Sequence, residues 1–254
     1  MDTALLIGLS RQTALQRELD VVANNMANLN TTGFKADGAV FGEYLQNNAR
    51  TQAAGQDRRL SFVQDRMSWH DFSQGTVQQT GNPLDVAIDG EGMLVVQTAN
   101  GERYTRNGAL QLNNAGEVVT SNGDKVLGDG GVIILQNTDR DIVITKDGTI
   151  KVREGLSLTS DSTRGKLRLV RFDDMQQLRK DGASAFRAPE GMTPIPIEKP
   201  NVIQSSIEKS NVRSVIAMTR MIEVTRSYTE VATILQQQSE MRKNSLQQLA
   251  EVPA

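Results

Sequence analysis

The sequence predicts an α+β chain: long N- and C-terminal helices paired as a coiled-coil-like domain, around a central all-β domain closed as a small barrel or sandwich. Three observations carry that prediction. Apolar residues recur at three-and-four spacing over both ends. Short β-branched-rich runs, punctuated by glycine, fill residues 84–172. Four of the six prolines fall in residues 186–204, which suits an extended return segment.

Residues 3–28 read as a helix. Leu5, Gly8, Gln12, Leu15, Leu19, Val22, Met26 and Leu29 follow the spacing of one seam, with no proline to break it. Gly33 is placed to end or turn the chain. Residues 36–80 read as an extended connector that docks its aromatics, Phe41, Tyr44, Phe62, Trp69 and Phe72, on neighbouring elements. Beyond it, "LDVAI", "MLVVQ", "GVIIL", "DIVIT" and "TIKV" are strand-like, and glycines at 101, 108, 116, 123 and 130 mark turns between them. Residues 206–248 are helical again, with Ser210 as a candidate N-cap. Two stripes run along this second helix. Ala217, Met221, Val224, Tyr228, Val231 and Leu235 form one, and Val215, Met218, Ile222, Thr225, Thr229 and Ala232 the other. Two stripes imply more than one packing partner. The expected division is 1–35 (first part of a helical domain), 36–80 (connector), 81–200 (β domain) and 201–254 (second part of the helical domain).

Composition narrows the chemistry. A net charge of −2 argues against nucleic acid as a partner. Cysteine is absent and His70 is the only histidine, so thiolate sites, His-based triads and His-rich metal sites are disfavoured. No cofactor or metal is expected. The apolar run Ala4–Leu9 is too short for a signal-peptide core and follows an acid, Asp2, so any export of the chain is expected to use a route that needs no cleaved signal. No apolar run approaches the ~18 residues of a membrane span.

The chemical motifs are thin. Asp139 with Asp141, and Asp173 with Asp174, could supply paired carboxylates for a glycan hydrolase, but nothing in the sequence holds them across a cleft. "IDGEG" and "GDGG" lack the strand-to-helix context of a phosphate cradle. The amides are a stronger signal. In "ANNMANLNTTGFK", residues 23–35, Asn24, Asn25, Asn28 and Asn30 crowd the helix end. Asparagine is a poor helix former, so these groups either fray into solvent or are satisfied at specific partners, where they fix register. "IEKSNVRSVIAMTRMIEVTRSY", residues 207–228, brings a second amide, Asn211, beside an apolar stripe.

These two blocks, with "LDVAIDGEGMLVVQTANGERYTRNGALQLNNAGEVVTSNGDKVLG" at 84–128, resemble the axial proteins of the bacterial flagellum, the rod and hook family, and most nearly its proximal-rod type. They are similar to that family's Ala-Asn-Asn-Leu-Ala-Asn…Gly-Phe-Lys start, its middle domain with Tyr-Thr-Arg-Asn-Gly, and its Glu-x-Ser-Asn-Val block. Met26 stands where the family usually has Leu. The resemblance implies a structural, non-enzymatic subunit of the basal-body rod, exported unfolded through the flagellar type III apparatus. It implies polymerisation in the periplasmic space, with copies of itself and other rod proteins, into a hollow shaft that carries motor torque. It further implies an assembly interface of Leu15, Leu19, Val22, Asn24, Asn25, Met26, Asn28, Thr31, Gly33, Phe34 and Lys35 from the N-terminal helix and the first block. From the last block and the helix that continues it come Glu208, Ser210, Asn211, Val212, Met221, Val224, Arg226, Tyr228 and Val231. In that picture the asparagines set register, Phe34 anchors the turn and Lys35 meets a neighbour's acid. A distal-rod or hook protein, a carboxylate enzyme using Asp139, Asp141 or Asp173, and a binding module on a stalk are the alternatives.

Overall fold

The computed structural model describes residues 2–46, 60–136, 138–154 and 161–250. By contact the chain divides into two units, Met1–Ala27 with Asp37–Trp69 and Arg213–Ala254, and Asn28–Ala36 with His70–Val212.

The first unit contains helix α1 (Asp2–Ala27), helix α2 (Ser214–Ala250) and a two-stranded sheet of Asp37–Gln46 with Leu60–His70. The region expected as connector thus holds paired strands. The side chains of Phe41, Tyr44 and Phe62 lie outside the described ones, while the Trp69 ring sits against Gly38, where a Cβ would meet the indole at 2.2 Å. The helices run antiparallel. Gly8 lies against Leu235, Gln12 donates to the Tyr228 hydroxyl at 3.1 Å, and Arg220 donates to Glu18 at 2.6 Å, so one number falls as the other rises.

The helices pair, and Gly8 and Gln12 of the expected seam lie at the contact, but the seam is not a regular coiled-coil one. A coiled coil seats apolar knobs throughout, whereas this contact, beside its apolar residues, includes a glycine, a Gln–Tyr hydrogen bond and an ion pair. α2 begins at Ser214, eight residues later than expected, because Ser206–Glu208 is a strand paired with Val77–Gln79. Ser210 accordingly does not cap the helix; its hydroxyl accepts from the Val212 N–H at 3.3 Å. α2 contains neither glycine nor proline, and its threonines direct their hydroxyls back to the preceding turn, as Thr225 does to the Met221 carbonyl and Thr229 to that of Thr225. Its first stripe faces inward, with Val224 2% exposed, and the second is open, with Val215 75% and Ile222 69% exposed.

The second unit is mostly β. Its largest sheet has ten strands and is neither a closed barrel nor a single-core sandwich, which corrects the predicted architecture of the β domain. The strand Met93–Thr98 gives the reason. Met93 and Val95 point into one core with Tyr104, Phe172 and Phe186, while Leu94 and Val96 point into another with Val86, Val126 and Ile150. A strand covered on both faces reads as a continuous apolar run, and a small closed barrel has only one interior. Asp139–Ile144, Thr149–Glu154 and Asp161–Lys166 form a separate three-stranded sheet. The proline-rich segment does return the chain in extended form, with Asn201–Gln204 pairing antiparallel to Val86–Asp89. Among the turn glycines, Gly108 serves a close approach instead: its carbonyl accepts from the Val86 N–H at 2.9 Å, and a Cβ would stand 1.7 Å from the Val86 carbonyl oxygen.

Candidate functional site

Three segments of the second unit meet at one buried cluster: residues 33–36, 71–76 and 206–211. Glu208 is at its centre. The strand pairing of Ser206–Glu208 with Val77–Gln79 turns Glu208 inward, where it is fully buried. One carboxylate oxygen accepts from Lys35 Nζ at 2.7 Å and from the Gly75 N–H at 2.8 Å, and the other accepts from Arg106 at 3.3 Å. Lys35 also donates to the Ser73 carbonyl at 2.6 Å, and Arg106 to the carbonyls of Ile88 and Gly90 at 3.2 and 2.6 Å. Each charged group of the trio is therefore hydrogen-bonded at two or more points, which a buried charge requires. Burial holds the Lys35 ammonium below the ordinary lysine range, with Glu208 opposing that shift and Arg106 adding to it.

The backbone completes the cluster. Gly33 N–H donates to the Glu208 carbonyl at 2.8 Å. Asn211 takes up three segments at once, its Oδ1 accepting from the Ala36 N–H at 2.8 Å and its Nδ2 donating to the Asp71 carbonyl at 2.7 Å. Gly33 has φ +68°, and a Cβ there would lie 2.4 Å from the Arg106 and Asn107 backbone. Only glycine fits both constraints. Phe34 is buried behind it, with the Lys180 ammonium 3.8 Å from its ring centre.

The structure brings together Gly33, Phe34, Lys35, Glu208 and Asn211, with Ser210 and Val212 adjoining. Lys35 finds its acid within its own chain. Gly33 lies six residues past the end of α1 and turns the chain across residues 106–107 rather than capping the helix. Asn28 accepts from the Thr31 hydroxyl at 3.0 Å in the turn after α1. In the first unit, Asn25 donates to the Asp37 carbonyl at 2.7 Å and accepts from the Asp37 N–H at 2.8 Å, so this amide orders the start of a strand. Asn24 is exposed. Leu15, Leu19, Val22 and Met26 line the inward side of α1, and Met221, Val224, Tyr228 and Val231 that of α2; Arg226 is exposed and pairs with Glu230 at 3.0 Å. Sequence reasoning missed Arg106, Asp71 and Ser73. The "YTRNG" run was visible as a motif, but only the fold reveals that its arginine faces Glu208.

The other candidates are structural. Asp139 is gripped by Arg164 through two hydrogen bonds of 2.6 and 2.8 Å, which hold its carboxyl below the usual range. Asp141 pairs with Arg153 and Asp173 with Arg171. His70 stacks edge-on against Phe72 and Phe186. Among the described residues no group of acids and histidines could hold a metal ion, and no helix is long and apolar enough to cross a membrane.

Comparison with known proteins reproduces the three-block layout. Residues 5–35 match the family described as flagella basal body rod protein, residues 87–152 the flagellar hook protein FlgE/F/G D1 domain, and residues 203–249 the flagellar basal body rod FlgEFG protein C-terminal family. The flagellar basal-body rod protein FlgF of Caulobacter vibrioides is 37% identical over 254 residues, covering 99% of this chain and all of that protein. FlgF of Mesorhizobium japonicum is 30% identical, over 93% of both chains, and the rod protein FlgG of Agrobacterium fabrum 32% identical, over 94% and 96%.

Proposed function

The chain belongs to the flagellar basal-body rod protein family and is a structural subunit of the rod, and from that premise we propose that α1 and α2 are its assembly elements. They pack against the terminal helices of neighbouring subunits, copies of itself and other rod proteins, to form the wall of a hollow shaft that carries motor torque. The observation that carries this reading is the open stripe of α2. Val215, Met218 and Ile222 stand 75%, 47% and 69% exposed along one side of a helix whose other stripe is already covered. Burying each such side chain is worth about 1.5–3 kcal/mol before association costs. A head-to-tail, non-closing contact of this kind propagates as a helical filament.

The same open stripe supports terminal helices that are only marginally ordered in the free monomer, since a lone helix owes most of its stability to packing of its apolar face. Such ends suit export as an unfolded chain through the flagellar type III apparatus, without a cleaved signal, and assembly in the periplasmic space. A drive-shaft subunit has no catalytic role, and the engaged carboxylates at Asp139, Asp141 and Asp173 are consistent with that.

The test is Met218→Asp with Ile222→Asp, carried as the only copy in a motile strain. The variant is expected to be exported and to keep its second unit folded, yet to stop rod growth and swimming. Complete rods built from the variant would sink the proposal.

A further inference from the structure

The chain passes between its two contact units at four places: after residues 27, 36, 69 and 212. The segments that carry these passages within the second unit, 28–36, 70–76 and 206–212, are the ones tied by Lys35, Asn211 and Glu208. We propose that this cluster is a latch, with Glu208 as its keystone, that orders the 28–36 strap and the 70–76 loop only after the C-terminal segment has docked. The latch is a property of the single chain and stands apart from the assembly role proposed for the helices.

The charges argue for it. Two buried cations, Lys35 and Arg106, share one buried carboxylate, and the two repel each other. Glu208 lies 173 positions after Lys35 and 102 after Arg106. Until it arrives, both cations lack the carboxylate that is hydrogen-bonded to them, with Asp71 and Glu91 acting on Lys35 and Arg106 only through space, and a buried charge without its direct partner is strongly disfavoured. The two are not equally placed. Arg106 keeps the Ile88 and Gly90 carbonyls as partners inside the β body. Among the described residues Lys35 keeps one hydrogen bond, to the Ser73 carbonyl, and the more distant charge of Asp71, both on the loop that Glu208 and Asn211 hold. When Glu208 is removed, Lys35 is the group that returns to water, and residues 33–36 go with it. The loop follows, since Asp71 N–H donates to the Ala36 carbonyl at 2.8 Å. The two β cores contain none of these residues apart from packing by Phe72.

The experiment is amide hydrogen exchange on the full chain. In Glu208→Gln, the amides of Gly33, Ala36, Asp71 and Gly75 are expected to exchange about a hundredfold faster, while those of Val95, Val96 and Leu127 stay within about threefold of the wild type. Adding Lys35→Met, which removes the stranded charge, is expected to restore at least about tenfold of the lost protection at Ala36 and Asp71. Faster exchange spread evenly over strap and cores, unchanged protection of the strap, failure of the single variant to fold, or failure of the second substitution to rescue would each overturn the latch.

Discussion

The Lys35 ammonium donates to the Glu208 carboxylate at 2.7 Å with both side chains out of contact with water, although 173 positions separate them. This bond joins the last residue of the Gly-Phe-Lys motif to the first of the Glu-x-Ser-Asn motif, so two blocks that look independent in the sequence form one structural device. It also means that Lys35 has no need of an acid from a neighbouring subunit.

Lys35→Met should be the tolerated substitution. It removes the hydrogen bonds to Ser73 and Glu208 but leaves Glu208 matched with Arg106 and the Gly75 N–H, and a cost of about 1–3 kcal/mol is expected. Lys35→Glu sets a second buried carboxylate beside the first and should cost more, about 3–5 kcal/mol. Urea denaturation of the two variants checks the order; equal costs would show that charge pairing is not what holds residue 35.

Gly33→Ala meets two penalties together, a left-handed φ of +68° and a Cβ 2.4 Å from the Arg106–Asn107 backbone. The neighbouring atoms are main chain and cannot swing aside, so a loss of about 2–4 kcal/mol is expected. A melting temperature within a degree or two of the wild type would contradict this account of the turn.

Asn25→Ala should act locally. The amide satisfies both the N–H and the carbonyl of Asp37, so about 1–2 kcal/mol is at stake, read as faster exchange of the Asp37 amide. Asn25→Asp retains the acceptor and loses the donor, and its effect should be smaller. If Asp37 exchange is insensitive to both, the asparagine does not order that strand.

The hairpin turn at 145–149 carries a pH signature. Thr145 and Thr149 hydroxyls donate to Asp147 and lower its carboxyl pKa to about 2. A carboxyl depressed on folding stabilises the folded state above its unfolded value of about 3.9 and loses that contribution as pH falls toward 2. NMR titration should find the Asp147 midpoint near 2, and Asp147→Asn should destabilise at neutral pH but not at pH 2. A midpoint near 4 would refute the assignment.

Much of this protein could be read from its sequence because the signals are local. Helical spacing marked α1, and it separated the covered stripe of α2 from the open one. Regularly spaced glycines marked turns, and the proline cluster marked the extended return. Family resemblance rested on three blocks in order, which are likewise properties of the linear chain. What the sequence could not decide is what depends on distant pairing. The burial of Met93, Leu94, Val95 and Val96 on two opposite cores replaced the expected barrel, because an unbroken apolar run does not tell how many faces of a strand are covered. The strand at 206–208 displaced the expected start of α2, because pairing with residues 77–79 outweighed a helical pattern. Arg106 acquired its role only when folding set it beside Glu208. Periodicity reports which side of an element is apolar, but a buried charge has no periodicity, and its partner is fixed by the tertiary path of the chain alone.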